Sequence, residues 1–269
     1  MPQTPNPQPL TLYLLHLADS TLILSHRNSE WCGHAPILEQ DIALTNIALD
    51  LLGQARNFYQ YAAELINQNS NNERSKVPPL EGFREATEDS LAYLRIENEY
   101  KNLLLTELPN EDWAHTILRQ FYFSTFQFYL FQQLQQNNDE HIVAIAAKAI
   151  KEISYHVRWS GEWVVRLGDG TTESHNKMLK AIDTLKNYTG EMFIAADYET
   201  AMNIDIDLLK NQWNKKVKQV FEEATLPYSL EDETTFHQTG GKIGTHTEYL
   251  GYILTEMQYL QRTYPNSIW

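Results

Sequence analysis

Residues 37–65 decide the fold of this chain, and they read ILEQDIALTNIALDLLGQARNFYQYAAEL. One row of this stretch has members four and three residues apart in alternation: Ile37, Asp41, Leu44, Ala48, Leu51, Ala55, Phe58, Ala62 and Leu65. This spacing matches the turn of an α-helix and places the row on one face. Because every member except Asp41 is apolar, that face is expected to be buried. We therefore predict a long helix over about residues 34–67.

The same periodicity extends along the rest of the chain. It predicts long helices over residues 85–107, 110–136 and 139–167, an earlier helix over 10–26, and later helices over about 171–186, 205–224 and 244–264. No alternating strand pattern of comparable length competes with them. Long helices joined by short links fold back as antiparallel neighbours. The sequence therefore predicts an all-α fold: a four-helix bundle of 34–67, 85–107, 110–136 and 139–167, with the remaining helices packed outside it.

Two segments are predicted to lack helix. Residues 1–9 contain four prolines, which disfavour helix and strand alike, so we expect a disordered tail. Residues 67–79 are polar and end in two prolines, which is typical of a loop. Because no interior linker is rich enough in Pro, Gly or Ser to separate two cores, residues 10–269 are predicted to form a single domain.

Composition excludes several classes of protein. Lys and Arg total 21 against 35 Asp and Glu, a formal net charge of −14, which disfavours binding to nucleic acid or to an anionic membrane surface. The single cysteine, Cys32, can form neither an internal disulfide nor a four-cysteine zinc or iron–sulfur site. The chain has no signal-peptide pattern and no apolar run long enough to span a membrane. We therefore expect a cytoplasmic protein.

Four-helix bundles often hold a metal, so the predicted helices are candidates for the ligands of a di-iron centre. The ferritin-like plan takes one carboxylate from each of two helices and a Glu-x-x-His pair from each of the other two. The ligand-like positions are Asp41, Asp50, Glu99, Asn102, Glu152, Tyr155 and His156. Both Glu-x-x-His frames are broken, because Asn102 follows Glu99 and Tyr155 follows Glu152 where histidine is required. His156, four residues after Glu152, could instead form a hydrogen-bonded pair with it.

The predicted helix 110–136 decides the question of the metal. It contains no Asp or Glu between Thr116 and Asn138, and Asp112, three residues before His115, lies where a helix cap is expected. The sequence therefore predicts no metal site in this chain. Alternative roles for the acids remain open: Asp50 could face solvent, and Glu99 could pair with a buried Arg or Lys.

Aromatic residues surround that same helix on all sides: Phe121, Tyr122, Phe123, Phe126, Phe128, Tyr129 and Phe131. A helix that is apolar all round is buried all round. Either the rest of this chain covers it, or part of it meets another chain, since aromatic residues are enriched at interfaces.

Other candidate sites carry weak signals. The loop Gly240-Gly241-Lys242 lacks the strand and the spacing of a phosphate-binding loop. Cys32 and His34 are near neighbours in sequence, an arrangement that rarely forms a catalytic pair. Both positions are therefore assigned structural roles.

The run SEWCGHAPILEQDIAL at 29–44, continued by NIALDLLGQAR at 46–56, resembles the C subunits of phenylacetyl-CoA epoxidases. So does EWVVRLGDGT at 162–171, followed by Glu173, Ser174 and His175. Shorter matches at 102–105, 109–110, 114–121 and 146–156 extend the resemblance over roughly residues 10–263.

This resemblance implies a fold and a function. The fold would be a ferritin-like four-helix bundle with additional flanking helices. The function would be that of a non-catalytic structural subunit, which pairs with a homologous subunit that carries the di-iron site and converts phenylacetyl-CoA into its ring 1,2-epoxide. A small accessory subunit and a reductase, which relays electrons from NADPH, would complete the complex. No catalytic or cofactor-binding residue is implied for this chain.

Two further expectations follow. The alternative hypothesis, from a different functional class, is that the chain is a free-standing di-iron carboxylate oxygenase. It would bind iron through Glu99, Glu152, His156 and an acid of the second helix. We also expect the isolated chain to self-associate as a homo-oligomer, covering with a second copy the surface meant for its partner.

Overall fold

The computed structural model describes residues 7–70, 85–228, 237–264 and 267. Within them the chain forms ten α-helices and no strand: α1 Pro7–Ser29, α2 Leu38–Ser70, α3 Glu88–Tyr93, α4 Leu104–Glu107, α5 Trp113–Leu134, α6 Glu140–Gly168, α7 Thr172–Leu185, α8 Asp197–Thr200, α9 Ile206–Glu223 and α10 Glu248–Thr263. The predicted all-α fold is confirmed. None of these helices is long and apolar enough to cross a membrane.

The predicted unstructured segments fall largely outside the described residues. Of the tail over 1–9, residues 1–6 lie outside, and α1 already begins at Pro7. Of the loop over 67–79, residues 71–79 lie outside, while α2 continues to Ser70.

Four long helices, α1, α2, α5 and α6, form the bundle. The helix α1 packs along α2, α5 packs along α6, and α2 lies beside α6. Asn28 of α1 donates a hydrogen bond to Gln120 of α5 at 2.7 Å, which joins the two pairs. The helices α7 and α9 pack on the outside of α5 and α6, and α10 packs on α3 and α4. The bundle is therefore confirmed with a different membership, because α1 takes the place of the predicted helix over 85–107.

The prediction of one helix over 85–107 was wrong. This segment contains α3, a 3-10 turn over Glu97–Glu99 and α4, with extended backbone between them. Tertiary contacts of Arg95 explain the break: its guanidinium binds the buried carboxylate of Asp19 on α1 and donates to the Glu99 carbonyl at 2.8 Å. Asp19 also accepts from the backbone N–H of Lys101 at 2.7 Å. A buried carboxylate needs partners that neutralise and hydrogen-bond it. The break in the helix allows Arg95 and the N–H of Lys101 to reach Asp19.

The helices α5, α6 and α7 begin at residues whose side chains cap them. Asp112 accepts a hydrogen bond from the backbone of His115 at the start of α5, Asp139 caps α6 in the same way, and Thr171 caps α7. The capping role predicted for Asp112 is confirmed, since its carboxylate lies 3.0 Å from that nitrogen.

The aromatic helix α5 is covered by this chain. Every residue from Trp113 to Gln127 is buried, and only Phe128 and Tyr129 of its aromatic run are partly exposed. The indole of Trp213, on α9, donates to the carbonyl of Tyr122 at 2.9 Å. Of the two alternatives left open by the sequence, burial within the chain is the one that the structure shows.

Candidate functional site: a polar network between α2, α5 and α6

Three of the seven ligand-like residues meet where α2 faces α6. His156 Nε2 lies 3.0 Å from Asp50 Oδ2. One turn away, Gln54 Nε2 donates to Glu152 Oε2 at 3.0 Å. The predicted pairing of Glu152 with His156 is replaced by two bridges across the helices, because each side chain finds its partner on α2.

A glutamine of α5 completes this network. Gln127 Nε2 donates to Gln54 Oε1 at 2.8 Å, and both glutamines are almost fully buried. We call Asp50, Gln54, Gln127, Glu152 and His156 the core polar network. Sequence reasoning missed the two glutamines, because acids and histidines are the usual signal of a metal site. The polar amide of Gln127, placed between Phe126 and Phe128 in the aromatic part of α5, was the signal that could have found it.

Next to His156, the buried polar groups are the uncharged hydroxyls of Ser160 and Ser124. The hydroxyl of Ser160 donates to the His156 carbonyl at 2.6 Å and lies 3.5 Å from the hydroxyl of Ser124. His156 Nδ1 and Gln127 Oε1 are buried without a hydrogen-bond partner among the described residues. A hydrogen bond from His156 to the Asp50 carboxylate places a proton on Nε2, and in a neutral imidazole Nδ1 is then an acceptor. Each such unpaired atom costs about 1–3 kcal/mol.

The remaining ligand-like residues lie outside this network. Asp41 accepts from the backbone N–H of Gly33 at 2.7 Å and of Ala35 at 3.3 Å, so it holds the turn before α2. Gly33 has a φ of +80°, the left-handed region that glycine adopts without strain. Although Asp41 belongs to the apolar row by its spacing, the structure places it at the end of the bundle.

The predicted third-helix ligands are also dispersed. Glu99 is exposed and caps the 3-10 turn, accepting from the backbone N–H of Ile96 at 2.7 Å. Its carboxylate pairs with no buried Arg or Lys side chain among the described residues, which was the alternative left open by the sequence. Asn102 is buried elsewhere and donates to Glu107 Oε1 at 2.8 Å. Tyr155 is at the surface, with the Arg158 guanidinium 5.7 Å from the centre of its ring.

The donor set of the core polar network does not fit a di-iron centre. Such a centre takes four carboxylates and two histidines, whereas this position offers Asp50, Glu152, His156 and two neutral amides. Amide oxygens bring no negative charge to balance two iron ions. Over the described part of the chain, no group of three or more His, Cys, Asp or Glu residues is arranged to hold a metal.

Two buried ion pairs join segments that lie far apart in the sequence. Burial alone would lower the pKa of Arg95, but the carboxylate of Asp19 beside it raises this pKa above its ordinary value. Lys242 Nζ, buried as deeply, lies 2.8 Å from Glu199 Oε2, so the Gly-Gly-Lys loop serves an internal ion pair. Arg95 and Asp19 are 76 residues apart, and Lys242 and Glu199 are 43 residues apart. No local spacing in the sequence could have revealed either pair.

Hydrogen bonds from His246 and Thr247 to Glu107 connect the start of α10 to α4. His246 Nδ1 lies 2.6 Å from Glu107 Oε1, and Thr247 donates through both its backbone and its hydroxyl to Glu107 Oε2. Burial lowers the pKa of His246, but the hydrogen bond and charge of Glu107 outweigh it and raise this pKa above its usual value. The residues Glu107, His246 and Thr247 therefore link the C-terminal helix to the segment that replaces the predicted third helix.

The Cys32–His34 pair shows no catalytic geometry. Both residues are exposed in the turn before α2. The sulfur of Cys32 lies 3.2 Å from the hydroxyl of Thr45. A Cys–His nucleophile needs its imidazole in hydrogen-bond contact with the thiol.

Comparisons with known proteins identify the family. The sequence profile of the family described as phenylacetic acid catabolic protein matches residues 1–269. The C subunit of the 1,2-phenylacetyl-CoA epoxidase of Escherichia coli (strain K12) is 45% identical over 265 residues, which cover 97% of this chain and 99% of that protein. These matches confirm the resemblance predicted from residues 29–56 and the ferritin-like fold class. The chain therefore belongs to the phenylacetic acid catabolic protein family.

Proposed function

We propose that this chain is the C subunit of a phenylacetyl-CoA 1,2-epoxidase and serves phenylacetate degradation as a structural, non-catalytic subunit. Its partners would be a homologous di-iron oxygenase subunit, a small accessory subunit and a reductase. The similarity to the Escherichia coli protein over nearly the whole length of both chains supports the first part.

The chemistry of the core polar network carries the non-catalytic assignment. Gln54 and Gln127 supply neutral amides beside Asp50, Glu152 and His156, and each amide is used in a hydrogen bond between helices. A hydrogen bond to a charged group contributes about 1.5–3 kcal/mol, so the bond from Gln54 to Glu152 supports the packing of α2 on α6. In this proposal the residues that would bind metal in a catalytic relative stabilise the bundle instead.

An isosteric substitution separates the structural role from a catalytic one. Glu152→Gln keeps an oxygen that can accept the hydrogen bond of Gln54, but it removes the negative charge that an iron ligand must supply. We expect the assembled complex with this variant to keep its iron content and its rate of phenylacetyl-CoA epoxidation. Glu152→Ala, the matched control, should lower the thermal midpoint of this chain, because it leaves the buried Gln54 without its acceptor.

Iron analysis of the chain purified alone tests the same proposal. We expect much less than one iron per chain, with iron appearing only when the oxygenase subunit is present. About two irons per isolated chain, lost in Glu152→Gln, would overturn the proposal and favour a free-standing di-iron oxygenase. We also propose that the isolated chain self-associates, which light scattering at high concentration would measure.

A further inference from the structure

A groove between α6 and α9 reaches the two aromatic residues of α5 that the chain leaves partly exposed. It encloses about 700 Å³, and Phe128 and Tyr129 line it together with Val157 and Val220. Small-molecule sites in proteins are clefts of about 300–1,000 Å³ with a largely apolar lining. The groove, which we call the α6–α9 groove, therefore has the size and the lining of a site for an organic ligand.

The packing of α6 on α9 places two cations at one end of the α6–α9 groove. A Cβ at Gly161 of α6 would lie 3.9 Å from Val220 of α9, and the C-terminal ends of the two helices also meet, so the helices run in the same direction. Arg158 and Lys216 each precede this contact by about one helical turn, and both line the groove. They therefore lie at the same end, on opposite walls.

The aromatic residues lie at this end as well. The helix α5 runs in the opposite direction to α6, since Phe121 packs on Gly161 and the core polar network joins later residues of α5 to earlier residues of α6. Phe128 and Tyr129 follow Phe121 by about two turns, so they lie beside the earlier part of α6 that carries Arg158. Aromatic rings and cations therefore meet in one half of the groove.

The charges that line the α6–α9 groove are separated along it. Neither Arg158 nor Lys216 forms a salt bridge with a described residue, although the chain has a net charge of −14. The other charged residues of the lining follow them by one to two turns towards the C-terminal ends of the helices: Glu162, Arg166 and Glu223. The aromatic end of the groove therefore carries two positive charges without a counter-charge.

Two cations on facing walls match an anion of about two charges. A phosphate monoester carries a charge of about −1.5 to −2 at neutral pH and three acceptor oxygens, whereas a carboxylate carries only one charge. The guanidinium of Arg158 lies 5.7 Å from the centre of the Tyr155 ring, a contact that leaves its N–H donors free for the fork-like recognition of phosphate. The exposed rings of Phe128 and Tyr129 are suited to pack against another flat ring.

We propose that the α6–α9 groove binds a phosphorylated aromatic ring system of nucleotide size. The ring packs on Phe128 and Tyr129, and the phosphate lies between Arg158 and Lys216. Two sources carry this chemistry: free adenine nucleotides, and CoA thioesters, which end in an adenosine with a 3′-phosphate. A role for this groove in holding the CoA end of the epoxidase substrate, away from the reacting ring, rests on the proposed function.

A matched pair of ligands tests the phosphate contact. The full-length chain would be titrated by calorimetry with CoA and with dephospho-CoA, which differs only in lacking the 3′-phosphate. We expect CoA to bind with a dissociation constant below about 1 mM, and dephospho-CoA to bind at least about tenfold more weakly. Adenosine 3′,5′-bisphosphate, which keeps the ring and the 3′-phosphate but lacks the thiol arm, should bind about as well as CoA.

A matched pair of variants tests the position of the site. Lys216→Gln and Arg158→Gln should each weaken the binding of CoA at least about tenfold, because each removes one of the two charges that face the phosphate. The control is Lys215→Gln, an exposed neighbour on α9 that does not line the groove, and it should leave the affinity near that of wild type. All three variants should keep the wild-type circular dichroism spectrum.

Kinetics of the assembled epoxidase distinguish the two sources of the ligand. If the groove holds the CoA end of the substrate, Lys216→Gln should raise the KM for phenylacetyl-CoA much more than it lowers kcat, since this end takes no part in the reaction. An unchanged KM, together with weaker binding of adenosine 3′,5′-bisphosphate by Lys216→Gln, would assign the groove to a free nucleotide.

Failure of this site and failure of the proposed function are distinguishable. Equal affinity for CoA and dephospho-CoA, equal affinity of Lys216→Gln and Lys215→Gln, or no saturable binding of CoA or adenosine 3′,5′-bisphosphate below about 10 mM would overturn the site and leave the proposed function standing. A chain that binds adenosine 3′,5′-bisphosphate but does not associate with the oxygenase subunit would retain the site, and the proposed function would fail.

Discussion

Replacing Arg95 with methionine should destabilise this protein more than any surface substitution. The side chain is 3% exposed, and its guanidinium binds both oxygens of Asp19, which is fully buried on α1. Methionine keeps the apolar stem but leaves the carboxylate with only the hydroxyl of Tyr59, at 2.5 Å, and the N–H of Lys101, at 2.7 Å. Removing one partner of a buried ion pair costs about 3–5 kcal/mol. Against a typical total stability of about 5–15 kcal/mol, this is a large loss.

Urea unfolding followed by circular dichroism at 222 nm would measure this loss. The control is Arg56→Met, an exposed arginine 3.6 Å from Glu88, which should change the free energy of unfolding by less than about 1 kcal/mol. Because the pair acts as a unit, Asp19→Asn combined with Arg95→Met should cost about 1–3 kcal/mol less than the sum of the single changes. An Arg95→Met variant as stable as the Arg56→Met control, or strictly additive costs, would refute the reasoning.

Two other predictions concern the packing of the C-terminal half. The pKa of His246 is raised in the folded protein, so protonated His246 stabilises the fold at pH values below its unfolded pKa, and this stabilisation is lost as the pH rises through the folded pKa. The difference in unfolding free energy between wild type and His246→Gln should therefore be larger at pH 6 than at pH 9. An equal difference at both pH values in urea titrations would contradict the role of Glu107. Gly168→Ala should cost about 1–3 kcal/mol, because a Cβ there would lie 2.5 Å from the Ala224 carbonyl. Gly53→Ala, in open space on α2, is its control, and equal thermal midpoints for the two variants would show that α6 and α9 can move apart.

The sequence alone predicted the elements whose stability is local. The helices α2, α5, α6, α7 and α9 follow from apolar periodicity, and their starts follow from caps such as Asp112, Asp139 and Thr171. A cap accepts hydrogen bonds from residues two or three positions away, so its evidence lies within a few residues of sequence. The family resemblance was equally visible, since it rests on contiguous runs of residues.

Only the tertiary structure decided which helices form the bundle. Ala92, Ile96, Glu99 and Leu103 have helical spacing, which is why one helix was predicted over 85–107. That spacing carries no information about Arg95, whose partner Asp19 lies 76 residues earlier. A buried ion pair outweighs the weak propensity of a short helix, so the segment breaks and α1 takes its place.

The same distinction applies to the candidate site and to the surface. The sequence supplied Asp50, Glu152 and His156 as polar residues on helices, but their pairing across α2 and α6 and the part played by Gln54 and Gln127 depend on how three helices align. Leu38, Ile42, Leu49 and Leu52 are as apolar as the buried residues of α2, yet packing leaves them exposed, because a helix within a bundle can turn only one face to the core.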